Sequence, residues 1–525
     1  TNKDKLYLDA RCWLEHYADR PGDHSPMDVD TFLPKGRKYC YWAFYAQDRK
    51  PGPHAALSTF CEAWRTELPW LKIASSLSKL IHCGVCDYLK DLIDNCPRSH
   101  SDRLSALVER LGSHYSHQSA QRLAQDRLAE RCDQSQGKAW AIKIDKMDCH
   151  AIWLPTKWSM MNTSFFREGK RLQVSLIGSW WSGLSHSAPI HLRTVFDDLA
   201  ETGSEMQFST LMLNLHEKAV AEKHLPEEWS IGADNTVKET KNSFVAWAVI
   251  WLLCVLADTP MWSVLMTYLL VGHTHDKIDR FFSRVKAAVA GRDYYTMYEL
   301  FKLLGNGLPA FNFTWSHLHT VWNWKALASF DIPPLKGLAR VHAVNFYRNN
   351  GIWVKWKQYM TSEQWSRPVL LIPPHEMASL AAWRPGVVPH AFGVEAARSK
   401  LAWLDKFESM IADTPGALDK HRPALRHLRD VIAGKLPEFT HGVSINELID
   451  DLKMASTGQS VAQGVQAKHE FPADVLAQYF PSADHPPMPA DTLINIPRRW
   501  DPPAVSIVMA GAMVATKAPP RMTIS

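Results

Sequence analysis

Residues 229–290 read WSIGADNTVKETKNSFVAWAVIWLLCVLADTPMWSVLMTYLLVGHTHDKIDRFFSRVKAAVA. Trp229–Ala233 is a short β-prone run ending at Asp234-Asn235, residue types that cap a following helix or carry a carboxylate off a strand end. Phe244–Ala257 is almost wholly apolar, as a buried helix is, and Asp258-Thr259-Pro260 stops it. Ser263–Val271, rich in Val, Leu and Tyr, predicts an interior strand. Beyond Gly272 a helix opens near Thr274, because Ile278, Phe281, Phe282, Val285 and Val289 recur at helical spacing, with Asp276 and Asp279 in its first turns. Strand, helix, strand and helix therefore follow one another. Two acids, Asp234 and Asp279, stand at adjacent ends of consecutive units.

Upstream, Ala141–Asp145 alternates apolar and polar residues as a half-buried strand does, putting Asp145 near its middle or end. Further β-prone runs lie at Ala151–Leu154 and Leu172–Trp181, the latter after the turn-like residues 167–170. Met206–Lys223 is helical by period, with Met206, Leu211, Leu213, Leu215 and Ala219 on its apolar side. From 138 to 300 the order is thus three strands, helix, strand, helix, strand, helix. That order predicts an α/β, ribonuclease H-like mixed sheet: three antiparallel strands, then alternating helices and strands. In such folds the first strand, the end of the fourth and the helix after the fifth each carry a carboxylate, positions held here by Asp145, Asp234 and Asp279. Phosphodiester transfer with two divalent ions, roughly 3.5–4 Å apart, needs such converging acids. Hard oxygen ligands select two Mg²⁺ or Mn²⁺ ions.

The chain's 525 residues, 46% of them hydrophobic, suffice for a sizeable core and several domains. A formal net charge of +5 permits nucleic-acid binding through local patches without arguing for it. The nine cysteines are unevenly spaced and lie before residue 255, an inventory of reduced, intracellular thiols. The apolar runs 244–257 and 261–271 are separated by Asp258 and Pro260 and are each too short to span a bilayer, so no membrane partner is expected.

Residues 1–137 read as a mostly helical region, with helices around 54–66 and 72–80. A CxxC at Cys83 and Cys86 precedes a helical pattern running to about 132, on which His114 and His117 lie one turn apart. Two thiolates and two imidazoles can supply a tetrahedral Zn²⁺ site, although Cys96 and His100 compete as ligands and a helical hairpin with unligated cysteines fits the same pattern.

Taken together, D-K-M-D (145–148), D-N-T-V-K-E-T-K-N (234–242) and G-H-T-H-D-K-I-D-R-F-F-S (272–283), preceded by the CxxC and a long helix, resemble a transposon-associated domain family of eukaryotic mobile elements. The resemblance covers roughly residues 75–350. It implies a DDE-type transposase or integrase that cleaves DNA and transfers strands, using divalent metal, working on mobile-element ends and target DNA in the nucleus as a homo-oligomer. The third acid departs from the glutamate of many integrases, since Asp279 stands there and two histidines precede it.

Other readings attach to the same residues. Asp145 can be a strand-end turn residue, Asp234 a helix cap and Asp279 an exposed acid paired with Lys277 or Arg280. Asp148 and Asp276 are alternate acids. His273 and His275 are accessory candidates that orient acids, bind metal or contact the leaving phosphate. Lys238, Lys241 and Asn242 are candidates for holding DNA phosphates. Asp148-Cys149-His150 with G-H-T-H also suggests a calcineurin-like metallophosphoesterase, but the motifs expected between them are missing. A domesticated DNA-binding protein without catalysis is the third class.

Beyond the core, residues 301–394 form an aromatic-rich region with a small β module at 341–371, turning at Asn349-Asn350-Gly351. Trp353, Lys355, Trp356 and Lys357 alternate ring and base there, a pattern suited to nucleic acid or to cross-strand packing. Residues 395–454 return to helix, and the Pro-rich 455–525 predicts a flexible tail.

Overall fold

The computed structural model describes residues 2–18, 23–24, 31–33, 37–73, 84–97, 100–147, 152–167, 170–196, 203–233, 240–269, 277–309, 311–318, 321–330, 332–333, 335–388, 393–412, 417–434, 443–459 and 523–524. Helix-forming runs dominate its first part: α1 (Asn2–Ala18), α2 (Lys38–Asp48), α3 (Leu57–Glu67), α4 (Gly84–Asp94) and α5 (Ser101–Gln134). Their apolar faces, including Leu14, Tyr45, Phe60, Trp64 and Leu111, close into a core of their own. Beside them lie β1 (Asp23–His24), β2 (Thr31–Leu33) and β3 (Leu71–Ile73). The helix expected over 72–80 starts instead as β3, held extended where the Trp64 indole donates to the Leu71 carbonyl at 2.7 Å; residues 74–80 lie outside the described residues.

The central sheet begins with β4 (Ala139–Lys146), and the two-residue β5 (Trp153–Leu154) follows it. After the one-turn α6 (Ser164–Arg167) come β6 (Leu172–Ser182) and β7 (Ile190–Phe196), so that β4, β6 and β7 are neighbours running antiparallel. Helix α7 (Ser204–Glu222) returns the chain to β8 (Glu228–Ala233), parallel to β4 on its other side. Helix α8 (Ser243–Val255) leads to β9 (Ser263–Tyr268), parallel to β8, and α9 (Lys277–Val289) follows.

Three antiparallel strands followed by alternating helices and strands are therefore present, with one change of membership. The run at 151–154 gives only β5, an offshoot paired with β6, and the third long strand is β7. Its sequence, IHLRTVF, conceals this: every residue is buried, and the polar ones are neutralised inside the protein. His191 bonds to the Thr314 and Ser316 hydroxyls at 2.8 Å each, and Arg193 pairs with Glu217 at 2.6 Å.

Past α10 (Met297–Gly307), β10 (Phe313–His317) adds in parallel to β7. The short β11 (Leu335–Lys336) precedes β12 (Ala343–Arg348) and β13 (Ile352–Lys357), which form the predicted hairpin. Asn350 and Gly351 take φ of 46° and 115° at its turn, where these residue types pay little strain. Rather than standing as a separate module, the hairpin joins the main sheet, β12 pairing with β9 and β14 (Val369–Ile372) with β13. The sheet order is β10-β7-β6-β4-β8-β9-β12-β13-β14. Helix α11 (Pro374–Ala382) lies before the stretch expected to return to helix, where α12 (Val394–Ala412), α13 (Ala417–Ile432) and α14 (Ile445–Ser456) are found, and β15 (Thr523–Ile524) pairs with β11.

Helices α7, α8, α11 and α14 cover one face of the sheet, with Trp229, Ile231, Trp251 and Leu252 fully buried between. Helix α8 is apolar on nearly every side, and from Ala248 to Val255 every residue is buried. The opposite face carries α5 and α9, and α10, α12 and α13 close a second core over its β6–β7 side. Among the described residues no helix is long and apolar enough to cross a membrane.

Candidate functional site

Asp145 is the penultimate residue of β4, half-buried, with its Oδ1 accepting from the Lys146 amide at 2.8 Å. In the parallel pairing of β4 with β8, Ile144 stands opposite Ala233. The next residue along β4 is Asp145, and the next in the chain after β8 is Asp234, which lies outside the described residues.

On its other side Asp145 faces Gly178 of β6. A Cβ at Gly178 would stand 2.8 Å from Cζ of Phe282 and 3.3 Å from Cγ2 of Ile278. Helix α9 thus presses onto the sheet at the residue paired with Asp145, and only the missing side chain of Gly178 lets it come so near. Asp279 follows Ile278 in the first turn of α9. Its helical backbone is described and its side chain is not. Asp145 and the turn bearing Asp279 therefore share one end of the sheet, on the face that α5 and α9 cover.

Beyond β9 the same end holds a buried polar group. The Tyr268 hydroxyl donates to the Thr240 carbonyl at 3.3 Å, and the Lys241 ammonium sits 5.1 Å over the Tyr268 ring. Lys241 is 1% exposed, and burial pushes its pKa down to about 8. His342 bonds through Nδ1 to the Tyr268 carbonyl at 2.9 Å, and burial, reinforced by the Lys241 charge, holds its pKa down to about 4. Asn242 is the N-cap of α8, its Oδ1 accepting from the Val245 amide at 3.1 Å. Of the residues expected to meet phosphates, Lys241 is thus packed inside and Asn242 caps the start of α8, while Lys238 lies outside the described residues.

Cys86 on α4 is buried, and Gln118 Nε2 of α5 lies 4.0 Å from its sulfur. His114 and His117 line a cleft with Val85, Tyr88 and Leu89, and His117 sets its ring edge-on to Tyr359 at 4.2 Å. Burial, and secondarily the His114 charge, push the pKa of His117 down. Cys83, Asp148, His273, His275 and Asp276 lie outside the described residues. Among the described residues no three His, Cys, Asp or Glu side chains gather as a metal site.

Two site-shaping residues escaped the sequence reading. Gly178 carried a usable signal, a glycine inside an apolar strand, which marks close backbone approach. His342 carried none, since its partners come from positions far away in the chain.

A family model described as a domain of unknown function (DUF7869) is similar to residues 167–364, a span from the end of α6 to just past β13. It takes in Asp234 and Asp279 but not Asp145 or the CxxC segment. No curated protein and no solved structure matches the chain.

Proposed function

We propose that this chain is a divalent-metal-dependent DNA nuclease and strand transferase of the DDE type, built on a ribonuclease H-like core. The observation that carries the reading is the strand path β7-β6-β4-β8-β9. Three antiparallel strands are followed by two parallel additions on the far side of the first, each reached through a helix. This is the order in which such cores are wound, and it leaves Asp145 on the central strand beside the end of β8. Asp145, Asp234 and Asp279 would hold Mg²⁺ or Mn²⁺, whose chemistry is to lower the pKa of an attacking water or 3′-hydroxyl and to stabilise the leaving oxygen. The three acids are hard-oxygen donors of the kind these ions take, and Gly178, paired with Asp145, lets the first turn of α9 come close to the sheet. The protein's own share is to fix positions: β4 and β6 hold the Asp145 backbone, and the sheet anchors α9.

The CxxC with His114 and His117 remains our proposed zinc site, and DNA in the nucleus, met as a homo-oligomer, our proposed setting. The test is nicking of labelled DNA in Mg²⁺ or Mn²⁺ by the wild-type chain and Asp234→Asn. Nicking that vanishes in the variant while DNA binding and thermal stability persist supports the reading, and equal nicking by both refutes it.

A further inference from the structure

The outward residues of the β12–β13 hairpin make a surface that the proposed catalytic centre does not use. Along β13, Ile352, Val354 and Trp356 are buried, while Trp353, Lys355 and Lys357 are half-buried and face outward. Lys355 stands opposite Asn345 of β12, which stands opposite Leu265 of β9, so this is the face on which α5 meets Thr267 and on which Asp145 lies. The lysines converge on one ring: Lys355 Nζ is 5.1 Å and Lys357 Nζ 5.0 Å from the centroid of Trp365, with Lys355 also 5.3 Å from Tyr347.

Two like charges share an indole, and among the described residues neither has a carboxylate within ion-pair distance. Burial, and secondarily the neighbouring Lys355 charge, push the pKa of Lys357 down. The loop bearing Trp365 is fixed at both ends. Met360 N donates to Gln121 of α5 at 2.8 Å, and Ser366 exchanges bonds of 2.8 and 2.9 Å with the backbone of Trp356. Glu363 and Arg367, both exposed on this loop, offset each other, so the lysines set the charge of the patch.

We propose that this face binds the phosphodiester backbone of DNA, Lys355 and Lys357 taking phosphates beside the rings of Trp365, Trp353 and Tyr347. Charge complementarity selects a polyanion, flat rings next to cations suit a nucleic-acid strand, and the fixed loop spares the cost of ordering on binding. The choice of DNA among polyanions rests on the nuclease reading.

The experiment is fluorescence anisotropy of labelled single-stranded and duplex oligonucleotides across salt concentrations, with the full chain and the Lys355→Gln/Lys357→Gln double variant. Losing two phosphate contacts should flatten the log–log salt slope by about 1.4 for a single strand or about 1.8 for a duplex, the latter costing roughly 60-fold more affinity at 0.1 M than at 1 M salt. Which oligonucleotide shows the loss identifies the form of DNA bound. The Lys355→Arg/Lys357→Arg variant should bind as wild type, which separates charge from misfolding, and Lys406→Gln, exposed on α12, serves as a control. Wild-type affinity and slope in the double glutamine variant, on both oligonucleotides, would overturn the proposal. Nicking is scored separately: lysine-dependent binding without nicking would leave this surface standing and remove the catalytic reading, and nicking with lysine-independent binding would do the reverse.

Discussion

Gly178 shows how one absent side chain sets the geometry beside Asp145. An added methyl would meet the Phe282 ring at 2.8–2.9 Å, inside any real carbon contact, and the ring is held in a packed core. Gly178→Ala should therefore cost about 1–3 kcal/mol in urea denaturation, the usual penalty of overpacking, and should weaken nicking by lifting α9. An unchanged denaturation midpoint would mean that α9 does not press there. His342 makes a second prediction. Its pKa falls from an ordinary 6.5 to about 4 because the imidazole is buried, so the folded chain refuses a proton that the unfolded chain accepts. The contribution of neutral His342 is complete above pH 6.5 and is lost as pH falls toward 4, by up to about 3 kcal/mol. His342→Gln should flatten the stability profile in that window, although His427, similarly buried with a pKa of about 4, will keep its own share of the slope. A profile parallel to wild type would contradict this. At this scale Asp145 was legible because alternation located its strand, whereas the surroundings of Lys241 and His342 depend on contacts that no local pattern announces.

Among elements, α8 and β9 were plain in the sequence because uninterrupted apolar runs bounded by Pro and Gly leave few alternatives. β7 was hidden because His191 and Arg193 break its apolar character, their partners lying on β10 and α7, well over a hundred and some twenty residues away. The hairpin at 349–351 was legible from its turn, but its attachment to β9 was not, because strand neighbours are fixed by packing rather than by local sequence. Beyond its pairing with β9, the hairpin is also tied to α8, through Arg348. Its guanidinium donates to the carbonyls of Leu256 at 2.7 Å, Thr259 at 2.9 Å and Leu253 at 3.3 Å, tying the end of β12 to the close of α8. Arg348→Ala should cost about 2–3 kcal/mol, since these carbonyls then lose a charged donor, and amide exchange should rise first in β12 and β13. Uniform exchange would show that the hairpin is held by its own contacts.

Across the whole molecule, α5 joins the helical N-terminal core to the mixed sheet, whose two faces are covered by different helices. The long α5, 34 residues, crosses from the N-terminal core over the sheet and contacts the loop that carries Trp365. The proposed phosphate surface therefore stands on the same face of the sheet as Asp145 and the first turn of α9, the face that α5 crosses. The central claim is that Asp145, Asp234 and Asp279 act together. Its most direct test is the rate of Mn²⁺-dependent DNA nicking by wild type, by the single Asp→Asn variants at these three positions, and by Asp102→Asn, exposed in the first turn of α5. The account predicts that each of the three variants loses about 10³-fold or more, the several kcal/mol that metal-borne charge stabilisation supplies, with DNA binding intact and Asp102→Asn at the wild-type rate. Nicking that survives in any of the three, or a wild-type chain that binds DNA and never cuts it, would contradict it.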